Sequence, residues 1–190
     1  MEGFQFLQCL KTKEGKLVLG TKDGLYFEKS KKHIVPIVQL PALSNLEVSI
    51  SHILPEGENL YVSTNNKGIY IIETNSKAIK KHLDFSQLGK GYNEISFVYP
   101  YTKDTLWIST ASGILWFHPE SHRYAKLEFE GCENCLQNID VNDIFRDSKG
   151  EYWFGSNASN YIGHVVNHKM EVLKQDKNNP LLKVTAIIYI

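Results

Sequence analysis

Residues 104–117 read DTLWISTASGILWF, and the same pattern occurs three more times along the chain. The other copies are GKLVLGTKDGLYF at 15–27, ENLYVSTNNKGIYI at 58–71 and GEYWFGSNASNYIG at 150–163. In each copy an apolar run ends in a hydroxyl residue, and these four anchors are Thr21, Thr64, Thr110 and Ser156. The anchors lie 43 to 46 residues apart, a period typical of propeller blades. The sequence therefore predicts an all-β chain of β-propeller repeats.

Each repeat reads as one blade of four short antiparallel strands. The second strand is apolar at successive positions, which indicates that both faces of its sheet are covered. The residue before each anchor is glycine or serine, which indicates a close approach of a neighbouring sheet. The 190 residues are predicted to form a single propeller segment with blades at 4–40, 48–85, 95–129 and 141–175. Residues 184–190 match the first strand of a further blade, so the propeller is partial.

Strand boundaries follow from the turn residues. The first strands of the second and third blades are predicted at 48–54 and 95–99, so that Pro55 and Pro100 fall outside them. An open series of blades leaves an apolar face uncovered at each end. Closure into a four-bladed ring, pairing with a second copy of the chain, or blades outside this chain would each cover those faces. We therefore expect the remaining blades or a second copy as partners.

Charge and composition exclude several function classes. Lysine plus arginine equals aspartate plus glutamate at 21 residues each, so we expect no nucleic-acid partner and no membrane contact for this segment. No stretch approaches the roughly 20 apolar residues of a membrane helix, and the N-terminus lacks the features of a secretory signal. No phosphate-binding loop or nucleophile motif is present. We therefore expect no cofactor, no catalytic residue and no enzymatic activity in the segment itself.

Three cysteines leave several possibilities open. Cys132 and Cys135 form a C-x-x-C pair, and His118 and His122 lie upstream. The four side chains have the composition of a zinc site, but we predict no metal centre, and the pair forms either a local disulfide or two free thiols, depending on the compartment. Cys9 lies in an apolar strand and is predicted to be a core residue.

Several motifs resemble those of a known family. Residues 141–144 (VNDI), 147–150 (DSKG) and 152–156 (YWFGS) fall in the same order as in two-component regulator propeller repeats, and 106–110 (LWIST) and 43–48 (LSNLEV) are similar to other parts of that repeat. Such repeats form the sensor regions of hybrid two-component sensor histidine kinases, notably those of Bacteroides that respond to glycans. The resemblance implies a periplasmic part of a membrane-anchored sensor, with the histidine kinase and phosphorelay modules outside this chain.

The candidate ligand-binding residues lie in the turns between second and third strands and in the linkers between blades, because propellers usually bind ligands at one end of the central axis. Amide, tyrosine and charged side chains there suit an oligosaccharide. The predicted set is Lys22, Asp23, Asn65, Asn66, Lys67, Tyr92, Asn93, Asn157, Asn160 and Tyr161. Trp107 and Trp116 are predicted to pack within blades. The alternative function is a cytoplasmic protein-interaction propeller of WD-repeat or kelch type, and a propeller hydrolase or lyase is less favoured.

Overall fold

A computed structural model of the protein describes residues 6–12, 15–22, 24–30, 33–36, 49–130, 132–156 and 161–174. The chain divides into two compact units, Met1–Val98 and Tyr99–Ile190. Within the described residues the secondary structure consists of strands and one short 3-10 helix at Ser86–Leu88. No helix in these ranges is long and apolar enough to cross a membrane.

The first unit contains two complete four-stranded sheets. The first sheet has the order β1-β2-β3-β4 and the second the order β5-β6-β7-β8, with antiparallel neighbours throughout. Their strands are β1 (Phe6–Lys11), β2 (Leu17–Thr21), β3 (Gly24–Ser30), β4 (His33–Pro36), β5 (Ile50–Glu56), β6 (Asn59–Thr64), β7 (Ile69–Glu73) and β8 (Ile79–Leu83).

The strands of the second unit form two more sheets of the same kind, and β9 begins in the first unit. Their orders are β9-β10-β11-β12 and β13-β14-β15-β16. The strands are β9 (Ile95–Thr102), β10 (Thr105–Thr110), β11 (Gly113–His118), β12 (Arg123–Lys126), β13 (Asp143–Arg146), β14 (Tyr152–Ser156), β15 (Tyr161–Val166) and β16 (Lys169–Lys174). The prediction of an all-β chain with four four-stranded blades is therefore confirmed, while residues 184–190 lie outside the described residues.

Second strands are buried along almost their whole length, as their unbroken apolar runs predict. In β6 and β10 every residue after the first is buried. In the first unit, β2 and β6 contribute Val18, Leu60 and Val62 to one core cluster that also holds Phe27 and Ile53. Burial of both faces explains why these strands show no alternation of apolar and polar residues.

The anchor hydroxyls close the turns between second and third strands. Thr21, Thr64 and Thr110 are buried, and their Oγ1 atoms donate hydrogen bonds to the carbonyls of Gly24, Gly68 and Gly113 at 3.0, 2.8 and 2.8 Å. A buried carbonyl without a partner would cost about 1–3 kcal/mol. This requirement recurs in the first three blades, which accounts for the regular spacing of their anchors.

Small residues before the anchors allow close contact with the next blade, as predicted. A β-carbon added to Gly20 would lie 2.8 Å from Cγ2 of Ile50, the first residue of β5. At the equivalent position of the third blade, the Ser109 hydroxyl donates a hydrogen bond to the carbonyl of Val141. The restriction to glycine or serine is thus a packing requirement.

Three expectations from the sequence are wrong in detail. β5 extends through Pro55, and β9 extends through Pro100. Each of these strands pairs with only one neighbour in its sheet, and an edge strand accepts proline because one row of its N–H groups is not needed for the ladder. Cys9 is exposed in β1 and is not a core residue.

Candidate functional site

The predicted ligand-binding residues are only partly within the described residues. Asp23, Asn157 and Asn160 lie outside them, as does the side chain of Tyr161, the first residue of β15. Lys22 is exposed in the turn between β2 and β3. The remaining predicted residues belong to the second blade and the linker that follows it, where the structure describes their contacts.

The β6–β7 turn and the linker before β9 are joined by hydrogen bonds. The Gly68 N–H donates to the carbonyl of Asn93 at 3.0 Å. The Asn93 side chain accepts a hydrogen bond from the Phe85 N–H at 2.7 Å and donates one to Asp84 Oδ1 at 2.8 Å. Hydrogen bonds from Asn93 and then Ser86 lower the pKa of Asp84 to about 2. Asn93 therefore holds the linker against the turn.

The other predicted residues of this region differ in exposure. Asn65, Asn66 and Lys67 are exposed in the β6–β7 turn, whereas Tyr92 is 5% exposed. Asn65 accepts a hydrogen bond from the Ser49 N–H through Oδ1 at 3.1 Å. The structure thus brings the second-blade turn and its linker together through Asn93, whereas Asn65 joins the turn to the residue before β5.

A cleft of about 830 Å³ lies in the second unit. It is lined by the β9–β10, β13–β14 and β15–β16 turns, by residues 127–130 after β12, and by side chains of β10 and β11. These hairpin turns are at the opposite ends of their sheets from the β10–β11 and β14–β15 turns, because successive strands are antiparallel. The volume falls in the range of small-molecule sites, and the predicted ligand-binding residues do not include any at this end of the sheets.

Aromatic side chains form the floor and one wall of the cleft. Tyr101 stacks on Trp107 with ring centroids 4.0 Å apart and an interplanar angle of 12°. Tyr152 lies 4.8 Å from the Trp107 ring, and Phe129 meets it edge-on at 6.4 Å. Burial raises the pKa of Tyr152, so this phenol stays protonated at neutral pH. Trp107 is buried, as predicted, whereas Trp116 is half-buried and lines the cleft.

Charged and polar groups of both signs surround these rings. Arg146 donates a hydrogen bond from Nε to the carbonyl of Gly150 at 3.3 Å, and its guanidinium carbon lies 5.5 Å from the Tyr152 ring centroid. Glu128 and Glu130 are exposed on the segment after β12. The cleft therefore offers donors and acceptors together with apolar ring surface.

Three potential metal ligands converge beside the cleft. One ligand atom from each of Asp147, Glu151 and His164 lies within 4.8 Å of the others. However, Asp147 Oδ1 accepts hydrogen bonds from the Lys149 and Glu151 N–H groups, and Oδ2 accepts one from Trp153 Nε1 at 3.1 Å. The bond from Trp153 is the main cause of the lowered pKa of Asp147. Through these hydrogen bonds the Asp147 carboxylate stabilises the β13–β14 turn.

The rest of this cluster is also held by protein contacts. Glu151 Oε2 and His164 Nε2 are 2.8 Å apart, and the His164 ring stacks on Trp153 at 3.7 Å. The first blade contains a simpler form of the same turn, in which the Lys16 N–H donates to the Thr12 hydroxyl at 3.3 Å. In the sequence, the motif DSKG at 147–150 followed by Trp153 is the pattern from which these contacts could have been predicted.

Cys132 and Cys135 form a disulfide with their α-carbons 5.4 Å apart. Of the possibilities left open by the sequence, the structure has the local disulfide. His118 instead accepts a hydrogen bond at Nδ1 from the Ser121 N–H at 3.3 Å. The disulfide lies in the linker between the third and fourth blades, next to the segment that carries Phe129 and Glu130.

Comparison with known proteins places these features in a family context. Residues 135–158 match the sequence profile of the family described as two component regulator propeller. This part of the chain is similar to a two component regulator propeller repeat. This match includes the disulfide-bonded Cys135 and the β13–β14 turn, and it confirms the resemblance drawn from the motifs. No significant match is found among curated proteins.

Solved structures similar to this propeller chain include two extracellular domains from B. thetaiotaomicron. That of the hybrid two component system BT4673 is 17% identical over 94% of the chain, with a TM-score of 0.72, and the match covers 22% of that domain's chain. That of BT3049 is 19% identical over 92% of the chain, with a TM-score of 0.69 and 23% coverage. The propeller chain therefore spans less than a quarter of the length of these structures.

A similar structure of a different function is a virginiamycin B lyase from Staphylococcus aureus. It is 15% identical over 92% of the propeller chain, which covers 57% of the lyase, and the TM-score is 0.66. All these identities are low, so the similarities show the propeller fold. They do not by themselves distinguish a sensor segment from a lyase segment.

Proposed function

We propose that this propeller chain is a non-enzymatic segment of the extracellular ligand-sensing region of a hybrid two-component system, and that it binds a saccharide in the cleft of its second unit. The observation that carries the proposal is the combination of stacked aromatic rings with polar groups of both signs around one cleft. The family repeat and the two similar extracellular domains support the sensor context.

The lining of the cleft suits a saccharide. The C–H faces of a pyranose ring pack on exposed aromatic surface such as that of Trp116. Its hydroxyls accept and donate hydrogen bonds, which Arg146 and Glu128 complement from the rim. Because cations and carboxylates are both present, the favoured ligand is an uncharged oligosaccharide.

The Cys132–Cys135 disulfide supports an extracytoplasmic location. Disulfides persist in oxidising compartments and are rare in the cytosol. This linkage favours a periplasmic or extracellular sensor segment over the cytoplasmic interaction propeller of WD-repeat or kelch type.

The exposed β6–β7 turn is a second candidate for saccharide contact. Asn66 and Lys67 are exposed there, and the Asn93 and Asn65 bonds fix the backbone around them. Further blades or a second copy of the chain are the proposed partners for the end faces. Light scattering of the purified chain checks the second-copy alternative, because pairing predicts twice the mass of the single chain.

The test is calorimetric titration of the purified chain with xylohexaose, cellohexaose and maltohexaose. Binding of at least one hexasaccharide is expected, and Trp116→Ala should weaken it about ten-fold because an aromatic contact contributes roughly 0.5–1.5 kcal/mol. A matched control, the Asn66→Ala and Lys67→Ala double variant, should retain full affinity.

Other outcomes of the titration would contradict the proposal. If the double variant loses binding and Trp116→Ala retains it, the site is the β6–β7 turn and not the cleft. If none of the three sugars binds, the saccharide assignment fails. Recovery of shorter fragments after incubation would instead favour a hydrolase or lyase.

A further inference from the structure

We infer that the Cys132–Cys135 disulfide is a redox-controlled latch: it holds in place residues 127–130, which form one wall of the cleft. Its reduction therefore weakens ligand binding. The expected loss of ligand affinity rests on the proposed function, whereas the expected loosening of residues 127–130 does not. The inference depends on how the disulfide turn is connected to Phe129 and Glu130, which both line the cleft.

The disulfide turn is hydrogen-bonded directly to the cleft wall. Phe129 and Cys132 form an antiparallel bridge, in which the Cys132 N–H donates to the Phe129 carbonyl at 3.1 Å. The adjacent Glu130 N–H donates to the carbonyl of His168 at 3.3 Å, and Glu130 forms a parallel bridge with Lys169. The wall therefore connects the disulfide to the β15–β16 turn.

The other side of the turn is fixed to the third blade. Leu136, next to Cys135, is buried, and its carbonyl oxygen would lie 2.7 Å from a β-carbon added to Gly113. The Asn138 N–H donates to the carbonyl of Ser112 at 3.3 Å. The disulfide thus ties the segment of Phe129 and Glu130 to a part of the linker that the third blade holds in place.

Besides the disulfide, the described backbone hydrogen bonds of this turn include one from the Gln137 N–H to the Asn134 carbonyl at 2.9 Å. The Cys135 N–H donates to the Cys132 carbonyl at 3.3 Å, and Asn134 has a φ of 62°. The left-handed region is tolerated by asparagine but is less favourable than for glycine. Because the hydrogen bond between Cys135 and Cys132 is long and Asn134 is in the left-handed region, the turn opens more readily once its covalent link is broken.

The proposed reaction is thiol–disulfide exchange with an extracellular dithiol. A thiolate of the dithiol attacks one sulfur, the Cys132–Cys135 bond breaks, and a mixed disulfide forms. The other cysteine leaves in this step and takes up a proton, and the second thiol of the reductant then attacks the mixed disulfide and releases the first cysteine as a thiol. Two electrons and two protons pass from the dithiol to the protein disulfide, which gives two protein thiols and an oxidised reductant. Both cysteines are half-buried and not fully enclosed, which leaves them open to attack.

The experiment compares closed and open forms of the full chain. Cys9→Ser is introduced into every sample because this exposed thiol would otherwise react. The closed form is the oxidised protein, and the open forms are the same protein in dithiothreitol and the Cys132→Ser, Cys135→Ser variant. The measurements are hydrogen exchange at the Glu130 amide and calorimetric affinity for the three hexasaccharides.

Opening should increase exchange at the Glu130 amide about ten-fold or more, because a local opening equilibrium controls exchange of a hydrogen-bonded amide. The core amide of Val62 in the first unit serves as the control and should be unchanged. Saccharide affinity should fall about five-fold in both open forms, an effect within the range of typical coupling between sites.

The two proposals fail in different ways. Equal Glu130 exchange in closed and open forms would overturn the latch, whether or not a sugar binds. Faster exchange with no sugar bound by either form would support the latch and overturn the saccharide proposal. Faster exchange with equal sugar affinity in both forms would overturn redox control of binding.

Discussion

The turns between second and third strands and the cleft of the second unit differ in how their polar groups are used. Thr64 in the β6–β7 turn and Asn93 in the adjoining linker are engaged in hydrogen bonds that hold the backbone. Around the cleft, Glu128 is exposed, and Arg146, which donates a hydrogen bond to the Gly150 carbonyl, also borders the open space. The turns repeat along the chain because every blade must satisfy the same buried groups, whereas the cleft occurs where individual side chains leave room. Recurrence therefore marks structural residues better than binding residues.

The largest expected effect tests this distinction at a turn glycine. Gly68 has a φ of 69°, and an added β-carbon would collide with the carbonyl oxygen of Leu83. Gly68→Ala should lower the free energy of unfolding by about 4 kcal/mol, since backbone strain and a steric clash combine. Urea denaturation measures the loss.

Gly57→Ala is the matched control for this change. Gly57 has a similar φ of 58°, but a β-carbon there would meet nothing within 4 Å. Its substitution should cost only about 1 kcal/mol, the penalty of the left-handed conformation. Equal losses for the two variants would show that the close approach at Gly68 contributes nothing.

The next effect concerns a hydrogen bond between neighbouring blades that is formed by a glutamine in one blade and by a histidine in the next. Gln8 on β1 exchanges hydrogen bonds with the backbone of Ile53 on β5. His52 on β5 similarly accepts a hydrogen bond at Nδ1 from the Val98 N–H on β9, at 3.2 Å. Burial lowers the pKa of His52 from 6.5 to about 4. The neutral ring is therefore required for this contact.

Because glutamine does not titrate, we expect the hydrogen bond of His52 to depend on pH and that of Gln8 not to. Between pH 6.5 and about 4 the unfolded chain binds a proton at His52 and the folded chain does not, so stability falls as the pH is lowered through this window. The loss should reach at most about 3 kcal/mol. His52→Gln, which copies Gln8, should remove this contribution. Urea denaturation of both proteins at pH 7 and pH 4 checks it, and the same pH dependence in the variant would exclude His52 as the source.

A smaller effect is expected from an anchor hydroxyl. Thr110→Val removes the hydrogen bond to the buried carbonyl of Gly113 and the one accepted from the Ser112 N–H. The expected loss is about 2 kcal/mol by urea denaturation. Thr110→Ser, which keeps the hydroxyl, should recover most of it, whereas a valine variant as stable as the unaltered protein would show that the two hydrogen bonds contribute nothing.

The features that the sequence predicts are those that the backbone requires in every blade. The anchor Thr110, the small residue Ser109 and the apolar second strands could be located because the same physical constraint selects the same residue type four times. Strand ends were harder to predict, since Pro100 acts as a breaker in most contexts and is accepted in β9 only because that strand is an edge.

The cleft could not be predicted from the repeat. Tyr101 and Trp116 belong to the third blade and Arg146 to the fourth, and they do not occupy equivalent repeat positions, so only the three-dimensional structure brings them together. The predicted role of Trp107 in packing follows from its place in a buried strand, but the same pattern does not show that Trp116, its cross-strand partner, keeps a surface open to the cleft.

The smallest expected effect tests whether Trp153, at the edge of the cleft, stabilises the β13–β14 turn through its hydrogen bond to Asp147. Trp153→Phe removes the indole N–H that donates to Asp147 and keeps an aromatic ring beside His164. Because this bond is the main cause of the lowered pKa of Asp147, the variant should raise that pKa toward its ordinary value of 3.8. Carbon-detected NMR titration of the carboxylate measures the change.

Trp116→Phe is the control and should leave the Asp147 pKa unchanged. If Trp153→Phe leaves it unchanged as well, the backbone N–H groups of Lys149 and Glu151 hold the carboxylate without the indole.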